Sequence, residues 1–146
     1  MRRLKTVSKV LQFKDYQKEE RELEVKKVRD LVALEQAKLD SVEKTLKEAA
    51  SMLQPKDGTF TNVHEIELFY EYYLHLDEKL KMQKATLAQK LEELDDKQNA
   101  LLEVYREKKA LETLKNRMIQ EGLRETSLME QKEMDSLFLS RRTEDR

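Results

Sequence analysis

Few residues in this 146-residue chain are of a kind that carries reaction chemistry, and their spacing removes most of them from consideration. His64 and His75 stand eleven positions apart with no cysteine to join them, and match no two-histidine metal spacing, so both read as surface or seam residues. The absence of cysteine removes thiolate metal sites, disulfide frameworks and thiol nucleophiles together, and it fits a reducing compartment. Glu92-Glu93 and Asp95-Asp96 have the charge of an acid/base pair, but an exposed helix offers no desolvated pocket to drive their pKa values apart. No glycine-rich phosphate loop, nucleophile elbow or nucleotide fingerprint occurs. The chain therefore reads as a non-enzyme with no catalytic, cofactor-binding or metal-binding residue. What remains is the chemistry of association.

The elements that must present those associating residues follow from composition. With 2 Gly and 1 Pro, the chain has almost nowhere to reverse, and 40% charged against 38% hydrophobic residues suits solvated helices better than a globular core. No stretch of 18 apolar residues and no short apolar core behind the basic amino terminus occurs, so neither a spanning helix nor a secretory signal is expected. The 29 Lys+Arg balance 30 Asp+Glu, which argues against coating nucleic acid along the whole length.

Pro55 and Gly58 fall together in Gln54-Pro55-Lys56-Asp57-Gly58, where Pro ends a helix and Asp-Gly favours a turn, placing one hinge at 54–62. Asn62 and Glu65 have the spacing of a reciprocal cap that would start a second helix near Val63. Before the hinge, alternating steps of three and four give Leu4, Val7, Leu11, Lys14, Lys18, Arg21, Val25, Val28, Val32, Glu35, Leu39, Val42, Leu46, Ala49 and Leu53. Eleven of these fifteen are apolar, which is a heptad seam. Phe13, Tyr16 and Leu23 flank its charged gap as an alternative stripe, so the contact surface is expected to rotate there. After the hinge the same stepping gives Val63, Ile66, Tyr70, Tyr73, Asp77, Leu80, Lys84, Leu87, Leu91, Leu94, Gln98 and Leu101. The phase then shifts to Val104, Leu111, Leu114 and Met118, a discontinuity that would change the supercoil winding.

Each stripe is too narrow for a globular core, but the two can bury one another if the chain folds back. The expected fold is all-α: one antiparallel coiled-coil hairpin with helix 1 at about 4–53, helix 2 at about 63–139 and a flexible tail at 140–146. At 1.5 Å per residue the helices are roughly 75 and 115 Å long, so the second must overhang. Pairing outward from Gly58 sets Leu4 opposite residues near 112 and leaves everything beyond Met118 without a partner. Gly122 weakens the helix there by about 1 kcal/mol relative to Ala, and the overhang is expected to be frayed or disordered in isolation.

Charge is sorted along this hairpin. Residues 1–14 hold five bases and no acid, whereas residues 63–101 hold nine acids and five bases. Folding brings the basic terminus beside Arg106, Lys108, Lys109, Lys115 and Arg117, and such a positive end steers towards an acidic protein surface, nucleic acid or anionic lipid. Near the hinge, Phe69, Tyr70, Tyr72 and Tyr73 join Phe60 in a cluster holding five of the nine aromatics. If Ile66, Tyr70 and Tyr73 occupy the seam, then Phe69, Tyr72 and Leu76 form a flanking ridge that faces water, the usual character of a protein-binding anchor.

Two short stretches point further. Tyr105-Arg106-Glu107-Lys108-Lys109 and Gln131-Lys132-Glu133-Met134-Asp135, behind a correctly placed hairpin, resemble the FliJ family of flagellar export proteins and its virulence type III secretion counterparts, YscO or SctO. The resemblance implies a non-enzymatic stalk, similar to the gamma subunit of rotary ATPases, whose open end inserts into the hexameric export ATPase of the FliI/SctN class. It implies a second contact, with the export gate of the FlhA/SctV class, through an aromatic-and-leucine patch after the hinge, and a link to export chaperones. The residues expected at the ATPase are Lys5, Lys9, Arg106, Lys109, Lys132 and Asp135, and those expected at the gate are Phe69, Tyr72 and Leu76. Lys79 and Gln83 depart from the small residue and the histidine of some flagellar members. The expected setting is cytoplasmic, peripheral at the inner-membrane export apparatus, with no nucleic acid and no direct membrane insertion. Heptads alone also suit a generic coiled-coil adaptor or homo-oligomeric scaffold, and the basic end suits a nucleic-acid-binding helical arm.

Overall fold

A computed structural model describes residues 2–52 and 62–144. The described residues form two helices, α1 (Arg2–Met52) and α2 (Val63–Glu144). The reversal expected at 54–62, with Pro55, Gly58 and Phe60, lies outside the described residues apart from Asn62. Asn62 caps α2 as its spacing predicts, its side-chain oxygen accepting from the Glu65 backbone N–H at 2.8 Å.

The helices pack antiparallel within two compact units, one of Glu20–Leu101 and one of Met1–Glu19 with Leu102–Arg146. Within the first, Glu24 meets Lys97 and Glu35 meets Gln83, so an advance along α1 is a retreat along α2. Within the second, Lys14 pairs with Glu107 and Asp15 with Lys108, while Arg3 and Leu4 border a shallow cleft with Met118, Ile119 and Gly122. Leu4 therefore lies level with Met118 rather than with residues near 112. Two symmetrical arms from Gly58 were the wrong origin for the register, which the contacts between seam residues set.

Along α1, the partly or fully buried positions include the whole predicted series from Leu4 to Ala49, with Leu11, Val25, Val28, Leu39 and Ala49 most buried. The series holds its phase through Lys14, Lys18 and Arg21. The expected rotation does not occur: Phe13 and Tyr16 are 59% and 73% exposed, and Leu23 is also exposed. The charged side chains stay in the seam because their stems are apolar and their heads reach partners. Lys14 is bonded to Glu107 and Gln17, the Lys18 ammonium lies 5.6 Å from the Tyr105 ring centre, and Arg21 pairs with Glu24 at 3.2 Å.

On α2 the seam runs in one unbroken phase: Phe69, Tyr73, Leu76, Leu80, Gln83, Leu87, Lys90, Leu94, Lys97, Leu101, Val104, Lys108, Leu111, Lys115 and Met118 are all partly or fully buried. The expected discontinuity near Val104 is absent. Six of the twelve positions predicted up to Leu101 are partly or fully buried, Tyr73, Leu80, Leu87, Leu94 and Leu101 at intervals of seven and Asp77 at the seam's edge. The other six, Val63, Ile66, Tyr70, Lys84, Leu91 and Gln98, face water. Gln83, Lys90 and Lys97 hold three of the true positions, and a search for apolar residues passes over them.

Beyond Ile119 the overhang keeps helical geometry through Glu144, and the side chains of residues 120–143 are all exposed. Among the described residues nothing buries them, and a helix without tertiary packing is marginal in water, so this segment is less stable than the paired part of α2.

Candidate protein-binding surfaces

The two units present different surfaces around their seams. In the unit of Glu20–Leu101, a polar contact replaces apolar packing at Glu35. The Gln83 amide donates to the Glu35 backbone carbonyl at 3.1 Å and to its carboxylate, and Lys38 adds an ion pair at 3.4 Å. The Gln83 hydrogen bond first, and then Lys38, hold the Glu35 carboxyl below its ordinary pKa against the opposing effect of burial. Glu24 is lowered in the same way, chiefly by Arg21 and then by Lys97 at 3.4 Å. A polar pair at a seam position restricts the registers open to two helices, because a slipped pairing leaves it unsatisfied.

Towards the amino terminus of α2 the aromatic residues divide. Phe69 is half-buried with its ring centre 6.2 Å from that of Tyr72, at an interplanar angle of 56°. Tyr72 is 48% exposed and Tyr70 is 55% exposed. Leu76 is only 6% exposed, so the ridge of Phe69, Tyr72 and Leu76 expected to face water does not form as drawn. Leu76 belongs to the seam and Tyr70 to the surface, because the seam phase on this helix passes through 69 and 76 rather than 70 and 77. The exposed aromatics flank the seam on its two sides, Tyr72 with Leu68 on one, backed by Phe69, and Tyr70 with Leu74 on the other, each pair four residues apart. His64 and His75 are exposed. Among the described residues no group of three His, Asp or Glu side chains could hold a metal ion.

In the unit of Met1–Glu19 with Leu102–Arg146, Lys5, Lys9, Arg106, Lys109, Lys132 and Asp135 are all exposed. Lys5 and Lys9 sit on the side of α1 away from the seam. The structure does not gather the six into one cluster. Ser8 and Leu11 share a shallow cleft with Glu112, Lys115 and Asn116, so the amino-terminal bases lie level with that part of α2 rather than with Arg106. Lys108, expected in the positive end, is a seam residue: it pairs with Asp15 at 2.6 Å and approaches Glu112 at 3.8 Å. The Asp15 hydrogen bond raises its pKa above the ordinary lysine value, with burial opposing.

Lys132 and Asp135 stand on the overhang, past the start of α1. The positions around them carry a feature the heptad search missed. Ile119, Leu123, Met134, Leu137 and Phe138 fall on one side of the helix at the 3.6-residue period, every one exposed. That periodicity was readable in the sequence, but a search confined to seam continuation does not find it. At the notch where α1 begins, Leu4, Met118, Ile119, Leu123 and Met129 line an apolar floor beneath Arg3 and Glu125. These surfaces are open and lack an enclosed pocket with convergent polar groups, so they suit a protein partner rather than a small molecule. No helix among the described residues is long and apolar enough to cross a membrane.

Comparison with known proteins gives one match that spans nearly the whole chain: the family model described as flagellar FliJ protein aligns with residues 3–144. No curated protein and no solved structure matches the chain.

Proposed function

Starting from the chain's membership of the FliJ family, shown by that match over residues 3–144, we propose that it is a stalk and coupling protein of a flagellar-type protein export apparatus. Its overhang and basic end enter the central hole of a hexameric export ATPase of the FliI/SctN class, and its aromatic surface contacts an export gate of the FlhA/SctV class. The observation that carries this reading is the bare overhang. Among the described residues its apolar stripe has no partner, and a second protein surrounding it would remove that exposed surface from water.

In this reading Lys132 and Asp135 on the overhang, with Arg106 and Lys109 on the paired part of α2 and Lys5 and Lys9 on α1, supply the polar rim of the ATPase contact. Ile119, Leu123, Met134, Leu137 and Phe138 supply its apolar centre. ATP hydrolysis belongs to the ATPase. Tyr72, with Leu68 beside it, touches the gate, and Phe69 and Leu76 support it from the seam. A peripheral position at the inner membrane and a link to export chaperones follow from the same partners.

The test mixes the chain with a hexameric export ATPase and follows ring assembly and turnover. Assembly and turnover should both rise, and Leu123→Ser with Leu137→Ser should abolish the rise while leaving the fold intact. No effect of the wild-type chain on either quantity counts against the reading. A compact homodimer at all concentrations by light scattering would favour the scaffold alternative instead.

A further inference from the structure

One face of α1 lies outside both the seam and the overhang; it carries Lys5 and Lys9, set above at the rim of the ATPase contact, so a second ligand on this face competes with the ATPase for them. Arg2, Lys9 and Tyr16 recur at intervals of seven on the side opposite Leu4, Leu11 and Lys18, with Lys5 and Phe13 between them. All five are exposed, residues 2–14 hold no acid, Asp15 turns aside to pair with Lys108 at 2.6 Å, and Glu20 ends the stripe one turn beyond Tyr16. Among the described residues no ion pair involves Arg2, Lys5 or Lys9. The two rings are among the most exposed apolar groups ahead of the overhang, at 59% for Phe13 and 73% for Tyr16, with Val10 at their flank. The stripe thus has three unneutralised bases followed by two uncovered rings, over about 20 Å of one helix.

We propose that this face is a docking surface for an anionic lipid bilayer, on which α1 lies flat with Arg2, Lys5 and Lys9 at the phosphates and Phe13 and Tyr16 sunk to the headgroup boundary. The charge complementarity is direct, since bare cations on a helix gain from the negative surface potential of acidic lipids. The rings supply what charge alone does not. Tyr has an apolar body and a polar tip, which is the composition of side chains that settle at a membrane interface, and Lys stems reach past the rings to the headgroups. A nucleic acid strand fits less well. The face is a convex ridge with no groove to track a backbone, and the acids of the rest of the chain, 30 in all, repel a polyanion that wraps further. The helix on this account rests on the bilayer and does not span it.

The chain has no tryptophan, so Phe13→Trp in the full-length protein is a single reporter. Its emission should shift to the blue and brighten on vesicles containing phosphatidylglycerol, and stay unchanged on pure phosphatidylcholine vesicles. Added to that variant, Lys5→Gln with Lys9→Gln should lower partitioning about thirtyfold, the loss expected for two basic residues at such a surface, with circular dichroism unaltered. Co-sedimentation of the wild-type chain with the same vesicles controls for the reporter. The proposal is overturned if no blue shift occurs, if phosphatidylcholine gives the same shift, if the double substitution has no effect, or if single-stranded RNA saturates the reporter while vesicles do not.

Discussion

The segment Glu20–Leu101 and the unit of Met1–Glu19 with Leu102–Arg146 share one seven-residue repeat and spend it differently. Among the described residues the first holds Val25, Val28, Leu39, Ala49, Leu76 and Leu87, six of the eight buried apolar side chains, whereas the second holds Leu11 and Val104. In the second unit, Lys14, Lys18, Lys108 and Lys115 occupy seam positions and α2 runs on with every side chain from 120 to 143 exposed. Apolar burial at about 25 cal/mol per Å² is the dominant stabilising contribution, so stability concentrates in the first unit and available surface in the second. One heptad pattern can thus hold a hairpin together at one stretch and keep it ready for partners at another.

The largest effect that sharpens this contrast is a pair of truncations. Leu39→Ala should lower unfolding stability by about 2–3 kcal/mol, and Leu137→Ala on the overhang should change it by less than about 0.5 kcal/mol, both read from urea midpoints. Equal costs would erase the distinction. Next is Gly122→Ala. A Cβ at Gly122 meets nothing within 4 Å, so the substitution should add about 1 kcal/mol to the helicity of the overhang. Amide hydrogen exchange should report it as slower exchange across residues 123–143 with no change in protection near Leu87. Protection already equal in both stretches of the wild-type chain would break the comparison.

A comparable effect is expected at the polar seam contact. Gln83→Ala removes the donor to the Glu35 backbone and carboxylate and should cost about 1 kcal/mol, with a wider distribution of distances between spin labels at Lys38 and Met82 if the contact also sets register. The smallest effect is the pH dependence. The carboxyls of Glu24 and Glu35 titrate lower in the folded chain than their ordinary value, so their contribution is present above the ordinary carboxylate range and is lost as pH falls through the lowered values. Lys108 is raised, so its contribution is present below the ordinary lysine value and is lost as pH rises through the raised one. Glu35→Gln should flatten the acid limb of a stability profile, and Lys108→Met the alkaline limb.

Much of this was legible in the sequence, and the exceptions share a cause. The spacing of the α1 seam reads correctly from Leu4 to Ala49 because apolar residues on both sides anchor the phase, but the rotation expected at Lys14, Lys18 and Arg21 does not occur, since their apolar stems stay in the seam. The Asn62 cap is readable because its chemistry is local. On α2 the series at Tyr73, Leu80, Leu87, Leu94 and Leu101 is apolar and visible, but its companion passes through Gln83, Lys90 and Lys97. Those side chains bury stems and pair their heads with Glu35, Glu93 and Glu24, so a hydrophobicity pattern prefers Tyr70 and Leu91. That single misphasing moved Leu76 to the surface and Tyr70 to the core, and invented the break at Val104. Lys97 likewise turns across to Glu24 rather than along the helix to Glu93, a choice between two acids that only the partner helix decides.

On this reading the overhang serves partners and not the fold. This is tested most directly by ending the chain at Gly122 and measuring, on the same preparation, the urea midpoint and the stimulation of a hexameric export ATPase. The account predicts unfolding stability within about 0.5 kcal/mol of the full chain and no remaining stimulation. Full stimulation by the shortened chain, or a collapsed midpoint, would contradict it.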